Sequence, residues 1–117
     1  MQIKRFEDII AWQKAKALNI QAYTAFKNCR DYYFKDQYLR ATLSIMNNIA
    51  EGYGRRSNKE FRQYLHIAQG SCDESKSMLY LAIEFRHIDK SSFDLLYDLT
   101  DEVSRLLHGF ISSIPIS

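Results

Sequence analysis

The chain has 117 residues, of which 46% are hydrophobic, and its formal net charge is +2. This length predicts one domain, with a core large enough to need no disulfides or metal. The two cysteines, Cys29 and Cys72, lie far apart, and no N-terminal apolar run resembles a signal peptide or approaches the roughly 18 residues of a membrane span. These features argue against a disulfide framework and a membrane protein, and they predict a soluble cytoplasmic protein.

The charges are unevenly distributed along the chain. Residues 1–62 hold 12 Lys and Arg against 6 Asp and Glu, whereas residues 63–117 hold 4 against 8. This asymmetry suggests a polyanionic partner or self-association between unlike faces. Solvated helix surfaces with accidental clustering would produce the same pattern, so both interpretations stay open.

Apolar residues recur at spacings of three and four, and the only proline is Pro115, near the end of the chain. This pattern is typical of helices. It predicts an all-α fold, an antiparallel up-down-up-down four-helix bundle over residues 1–117. The predicted helices cover about 8–28, 36–52, 58–87 and 92–113.

The second predicted helix has an unusually wide apolar arc. The arc covers more than half of the helix circumference at about 100° per residue. Because one bundle core rarely needs so much, the excess predicts a second buried surface between subunits. The residues of the arc are Tyr38, Leu39, Leu43, Ile45, Met46, Ile49, Ala50 and Tyr53.

The connections carry recognisable turn and cap signals. Gly52 and Gly54 predict a left-handed cap at the end of helix 2. Ser57 with Glu60 predicts a capping box that opens helix 3. A Ser91 and Asp94 pair is the corresponding signal for helix 4.

A basic cluster surrounds the predicted start of helix 3, with one further arginine on helix 2. A helix start carries partial positive charge and free N–H groups, and arginine can donate two hydrogen bonds to one phosphate. Phosphate is therefore the expected ligand. Tyr53 and Tyr64 lie close enough in sequence to stack on a base. The alternative is a solvated helix end balanced by acids of a neighbouring chain. The predicted phosphate contacts are Arg40, Arg55, Arg56, Lys59 and Arg62, and His66 shares their face.

Two polar residues near the end of helix 2 are predicted to be structural. Glu51 lies at an unfavourable helix end and needs a cationic or N–H partner, for which Arg55, Arg40 or another subunit are candidates. Asn48 borders the apolar arc, where an amide usually satisfies backbone groups or sets helix register.

The sequence contains no convincing catalytic or metal motif. Glu84 and His87 form one E-x-x-H, whereas di-iron bundles use two such motifs with two further glutamates. The three histidines show no zinc-like spacing, and no P-loop, dinucleotide fingerprint or nucleophile elbow occurs. We therefore predict no enzyme, no metal and no cofactor, and we interpret Cys72 as a core residue.

Three segments of the chain together resemble the four-helix-bundle proteins that are encoded in intervening sequences of bacterial 23S rRNA genes. These segments are FEDIIAWQKA, SIMNNIAEGYGRRSNKEF and AQGS…E. The resemblance runs from Phe6 to the end of helix 4. Its most specific part is 48–52 followed by Arg55, Ser57, Glu60 and Phe61. Met46 stands where family members usually have a proline, so a proline kink in helix 2 is in doubt.

The resemblance implies a small antiparallel bundle that assembles into a ring, typically a homopentamer. It also implies a fold similar to the accessory protein of diversity-generating retroelements, which binds nucleic acid and a reverse transcriptase. No enzymatic activity is associated with the family.

Three functional hypotheses follow. The first is a non-catalytic oligomer that binds nucleic acid, RNA in particular, or acts as a scaffold. The second is a protein-interaction module in which the basic cluster pairs with acids of a neighbouring copy, namely Asp94, Asp98 or Glu102. The third, an enzyme or metal protein, has the least support. The sequence leaves open whether the ligand is RNA, DNA or protein.

Overall fold

The computed structural model describes residues 3–116, in which a 3-10 turn at Phe6–Asp8 leads into four helices. Each helix packs against its neighbours in sequence, and α1 also packs against α4, with no diagonal contacts in this part of the chain. Short connections make neighbouring helices antiparallel. The predicted all-α, antiparallel up-down-up-down four-helix bundle is therefore confirmed. The helices are α1 (Ile10–Ala25), α2 (Tyr32–Tyr53), α3 (Asn58–Glu84) and α4 (Lys90–Ser113).

The core runs the length of the bundle, which measures 46 × 24 × 19 Å. Helix α1 contributes mainly small side chains, such as Ala15 and Ala22, and these leave room for bulkier partners. Phe26, just after α1, stacks on Tyr38 of α2 with ring centroids 4.6 Å apart. Helix α4 contributes a stripe that includes Leu96, Val103 and Leu107, all fully buried.

The apolar arc of α2 is largely covered within one chain, because α1 packs on one side of α2 and α3 on the other. Tyr38, Ile45 and Ile49 are fully buried, and Leu43 is the only exposed member of the predicted arc, at 38%. The predicted excess of apolar surface on α2 was therefore too large. The remaining half-buried members are Met46, Ala50 and Tyr53.

Aspartate caps open two helices earlier than predicted. The side chain of Asp31 accepts a hydrogen bond from the Phe34 amide (3.1 Å), so α2 begins at Tyr32 rather than near residue 36. The side chain of Asp89 accepts from the Ser92 amide (2.8 Å), and this bond lowers the pKa of Asp89. Helix α4 therefore begins at Lys90, and the predicted cap at Ser91 was wrong.

Helix α3 ends in a Schellman motif before the predicted boundary at 87. The amide of His87 donates to the Ala82 carbonyl (2.9 Å), and the amide of Arg86 donates to the Ile83 carbonyl (3.1 Å). Arg86 takes the left-handed conformation this motif requires, with φ of 59°. It is the only described residue with a positive φ of this kind.

The glycines at the end of α2 act by a different mechanism from the predicted left-handed cap. No glycine among residues 3–116 has a positive φ, and Gly54 is in the right-handed region (φ −78°, ψ −3°). Gly52 is instead needed for a close approach, since a Cβ there would lie 2.6 Å from the Cβ of Tyr64. Helix α2 continues through Met46 without interruption to Tyr53.

Ser57 opens α3 as predicted, because its hydroxyl accepts a hydrogen bond from the Glu60 amide at 3.1 Å. The same hydroxyl contacts the Glu60 carboxylate at 3.4 Å. Helices α2 and α3 are thus joined by a turn of four residues, 54–57. We call the end of the bundle that holds this turn, the start of α1 and the end of α4 the α2–α3 end.

Candidate nucleic-acid interface

The five predicted phosphate contacts do not form one surface. Arg40 lies in the middle of α2, where its Nε donates to the Asp36 carboxylate at 2.8 Å. At 1.5 Å per residue, Arg40 is about 20 Å along the helix from Tyr53. Arg40 is therefore separated from the other four cations, which lie at the α2–α3 end.

Arg55 lies within the turn between α2 and α3 and is held there by side-chain contacts. Its Nη2 donates to the Glu51 carboxylate (2.9 Å) and to the Tyr64 hydroxyl (2.5 Å). Its guanidinium also lies over the Tyr64 ring, 4.7 Å from the centroid. Glu51 thus has the arginine partner that we expected. Arg55 covers one face of the ring that was predicted to stack on a base.

Arg62 supports the end of α4. Its Nη1 donates to the carbonyl of Ile111 at 2.6 Å and lies 3.5 Å from the carbonyl of Ile114. The Ile111 carbonyl also accepts a hydrogen bond from the Ile114 amide (3.2 Å), so Arg62 is a second donor at the end of α4. Because these carbonyl acceptors are neutral, they do not compensate the positive charge of Arg62. The same contacts hold α3 and α4 together.

Arg56 and Lys59 are the two predicted contacts whose charges stay exposed. Neither side chain makes a hydrogen bond or ion pair with any other residue between 3 and 116. Arg56 lies in the turn and Lys59 in the first turn of α3. Both side chains are therefore available to an anion without first breaking an intramolecular contact.

Two pockets lie along α3 near these two residues, and we refer to them together as the groove between α3 and α4. The first, about 330 Å³, is lined by Lys59, Arg62, Gln63 and His66 of α3 and by Ile116, which follows α4. The second, about 490 Å³, lies between α3 and α4 and is lined by Gln69, Ser104, Arg105, His108 and Gly109.

Arg105 and His108 were not predicted from the sequence. Their spacing of three places both on one side of α4. Because α3 and α4 are antiparallel, the last turns of α4 lie beside the first turns of α3. Aligning the two helices in this way would have added both residues to the basic surface.

Asn48 has the structural role that was predicted for it. Its Nδ2 donates to the backbone carbonyl of Ser44 (2.8 Å) and to its hydroxyl (2.9 Å). The Ser44 hydroxyl in turn lies 2.9 Å from the hydroxyl of Ser71 on α3. The Asn48 amide is thus satisfied within α2, and Ser44 links this pair to α3.

No group of His, Cys, Asp and Glu in residues 3–116 could hold a metal ion. The Nε2 of His87 lies 3.0 Å from the Asp31 carboxylate and links two loops. Burial raises the pKa of the Cys72 thiol to about 12, so this cysteine is not a ready nucleophile. Within the described part of the chain, no helix is both long and apolar enough to cross a membrane.

The fold defines a class of protein: small antiparallel four-helix bundles. The sequence profile of the 23S rRNA-intervening sequence protein family matches residues 7–109. The chain belongs to this family. The resemblance seen in the sequence is thereby confirmed.

A solved structure shows the same fold. It is a crystal structure of a protein of unknown function from the S23 ribosomal protein family of Bacteroides thetaiotaomicron, with a TM-score of 0.83 and 22% identity. The similarity covers 89% of this chain and 100% of that one. No functionally curated protein matches the chain.

Proposed function

We propose that this protein is a non-catalytic, cytoplasmic homo-oligomer, typically a pentamer, that binds nucleic acid, RNA in particular, or serves as a scaffold for it. The observation that carries the proposal is the pair of exposed cations, Arg56 and Lys59, beside the groove between α3 and α4. Phosphate contacts supply most of the affinity in nucleic-acid binding. Each patch is small, so several copies acting together would give the avidity that one lacks.

The roles of the five predicted contacts differ within this proposal. Arg56 and Lys59 meet phosphate directly, whereas Arg62 contributes charge while it supports α4. Arg55 holds the turn that presents Arg56. Arg40 contributes only where a ligand or a neighbouring copy reaches the middle of α2.

A fluorescence anisotropy titration with a structured RNA, at several salt concentrations, tests the proposal. We expect binding at low salt that falls steeply as salt rises. The double variant Arg56→Ala/Lys59→Ala should bind about tenfold more weakly and reduce the slope of log K against log[salt] by about 1 to 2. Lys27→Ala/Arg30→Ala removes one lysine and one arginine that are exposed at the other end of the bundle, and it is the matched control. Absence of binding at low salt would refute the proposal, as would equal binding by both double variants.

A second candidate, a protein-interaction module without a nucleic-acid role, is favoured by a different observation. The outer faces of α1 and α2 expose Ile20 and Tyr23, at 53% and 54%, and Leu43. The acids proposed to pair with the basic cluster are partly used within the chain, since Glu102 lies 3.6 Å from Lys14. If RNA does not bind, these apolar faces are the first surface to probe.

A further inference from the structure

We propose that the phosphate-binding surface extends along the groove between α3 and α4, where α4 supplies Arg105 and His108 as additional contacts to a nucleic-acid backbone. This inference rests on the proposed function and deepens it. It moves the centre of the site from the turn and the start of α3 to the interface between two helices. The occupant is one strand of phosphates that runs beside α3.

The register of the two helices places these residues along one path. At the α2–α3 end, Arg62 contacts the last turn of α4, and farther along, Lys76 bonds to Asp101 at 3.0 Å. The two parts of the groove lie along this helix pair, from Lys59 to Gln69 on the α3 side. This stretch is about 15 Å long, enough for more than one phosphate.

The charged residues that line the groove, Lys59, Arg62 and Arg105, are all basic, although the surrounding chain is not. Residues 63–117 carry twice as many acids as Lys and Arg, but no Asp or Glu of residues 3–116 lines either part of the groove. Asp101, the acid bonded to Arg105, is also bonded to Lys76. This group of three side chains therefore keeps one net positive charge beside the groove.

Arg62 offsets the negative end of α4, which would otherwise repel a phosphate in the groove. The C-terminal end of a helix is partly negative and disfavours phosphate. The guanidinium of Arg62 hydrogen-bonds to the Ile111 carbonyl at this end of α4. The amides of Gln63 and Gln69 add neutral donors along the groove wall.

Near-isosteric addition of negative charge tests this path while it preserves the packing. Gln63→Glu/Gln69→Glu places two carboxylates in the groove, and Gln21→Glu/Gln37→Glu adds the same charge on exposed positions of α1 and α2. A third variant, Arg105→Gln/His108→Gln, removes the contacts from α4. The anisotropy titration uses the structured RNA at about 0.1 M salt, and circular dichroism melting of each variant checks the fold.

The groove variants are Gln63→Glu/Gln69→Glu and Arg105→Gln/His108→Gln. We expect both to bind about tenfold more weakly, and Arg105→Gln/His108→Gln to reduce the slope of log K against log[salt] by about 1. The Gln21→Glu/Gln37→Glu control should stay within about twofold. Loss of binding in Arg56→Ala/Lys59→Ala with normal binding by the groove variants would overturn this inference and leave the proposed function intact. Absence of binding by the wild-type protein would overturn both. Equal weakening of binding by the groove variants and the control variant would indicate a general charge effect, and it would overturn this inference.

Discussion

Gly52 and Gly70 are two helical glycines in opposite surroundings. A Cβ on Gly52 would lie 2.6 Å from the Tyr64 Cβ and 3.0 Å from the Phe61 ring, both on α3. A Cβ on Gly70 would meet nothing within 4 Å among residues 3–116. The same residue type thus allows close packing at one position and only adds flexibility at the other.

We predict opposite effects when each glycine is replaced by alanine. Gly52→Ala forces α2 and α3 apart and should lower the free energy of unfolding by about 1–3 kcal/mol. Gly70→Ala removes the flexibility that glycine gives the unfolded chain and should raise it by about 0.5–1 kcal/mol. Urea unfolding of both variants measures the difference. A stabilising Gly52→Ala would contradict the close approach of the two helices.

Tyr38 buries a hydroxyl without a hydrogen-bond partner among the described residues. The side chain is fully buried, and this desolvation raises the pKa of the phenol well above its usual value. A polar group without a partner in a core is destabilising.

We expect Tyr38→Phe to stabilise the bundle by about 1–2 kcal/mol, because it removes the unpaired hydroxyl and keeps the ring that stacks on Phe26. Thermal and urea unfolding give the value. Tyr53→Phe is the matched control, since the Tyr53 hydroxyl donates to the Ile3 carbonyl at 3.4 Å. This control should be neutral or slightly destabilising. A destabilised Tyr38→Phe would indicate a partner for the hydroxyl.

At the scale of helices, Arg62 connects the start of α3 to the end of α4. Its hydrogen bond to Ile111 is charged and partly buried, and such bonds contribute more than neutral ones. Arg62→Met keeps the aliphatic part of the side chain and should lower the free energy of unfolding by about 1–3 kcal/mol. Lys59→Met, on the same face and without this bond, should change it by less than about 0.5 kcal/mol. Equal stabilities would show that the Arg62 contact is not structural.

The ion pair between Lys76 and Asp101 joins the middle of α3 to α4. The hydrogen bond from Lys76 lowers the pKa of Asp101 and raises that of Lys76. A carboxyl whose pKa is lower in the folded state contributes stability above its unfolded pKa of about 3.9, and this contribution disappears as the pH falls through the folded value. The contact should therefore matter at neutral pH and be absent in strong acid.

We predict that Asp101→Asn is less stable than the wild type at pH 7 and that the difference shrinks toward pH 2.5. Urea unfolding at a series of pH values measures it. Asp98→Asn, which alters an exposed acid of the same helix, should show little difference at any pH. A stability difference for Asp101→Asn that does not change with pH would contradict the linkage.

At the scale of the whole molecule, oligomerisation decides whether small basic patches act together. The chain has a mass of 13.8 kDa and exposes large apolar side chains on the outer faces of α1 and α2. We predict a solution mass that is a multiple of 13.8 kDa at micromolar concentration. Light scattering coupled to size exclusion measures this mass.

Ile20→Lys/Leu43→Lys should lower that mass to the monomer, because it places charge on these faces. Leu95→Lys, at an equally exposed position on α4, is the control and should leave the mass unchanged. A wild-type protein that stays a monomer would rule out the ring. The contribution of avidity to binding would then be lost as well.

Much of the fold follows from local patterns. The spacing of apolar residues predicted four helices, and Ser57 with Glu60 predicted the start of α3, because periodicity and caps depend on neighbours in sequence. The caps at Asp31 and Asp89 lacked equally clear local signals, and they moved two helix boundaries. Only part of the candidate site could be predicted from the sequence. Arg56 and Lys59 were found because they are near each other along the chain, whereas Arg105 and His108 are far from them in sequence.

The sequence by itself determined the helices, their order and the family to which the chain belongs. These properties rest on periodicity, caps and a conspicuous motif, all of which are local. Only the tertiary structure decided that Arg62 supports α4, that Gly52 allows a close approach and that Arg105 lies on the same groove as Lys59. These properties depend on how two helices far apart in sequence align, and side-chain contacts across that interface set the alignment.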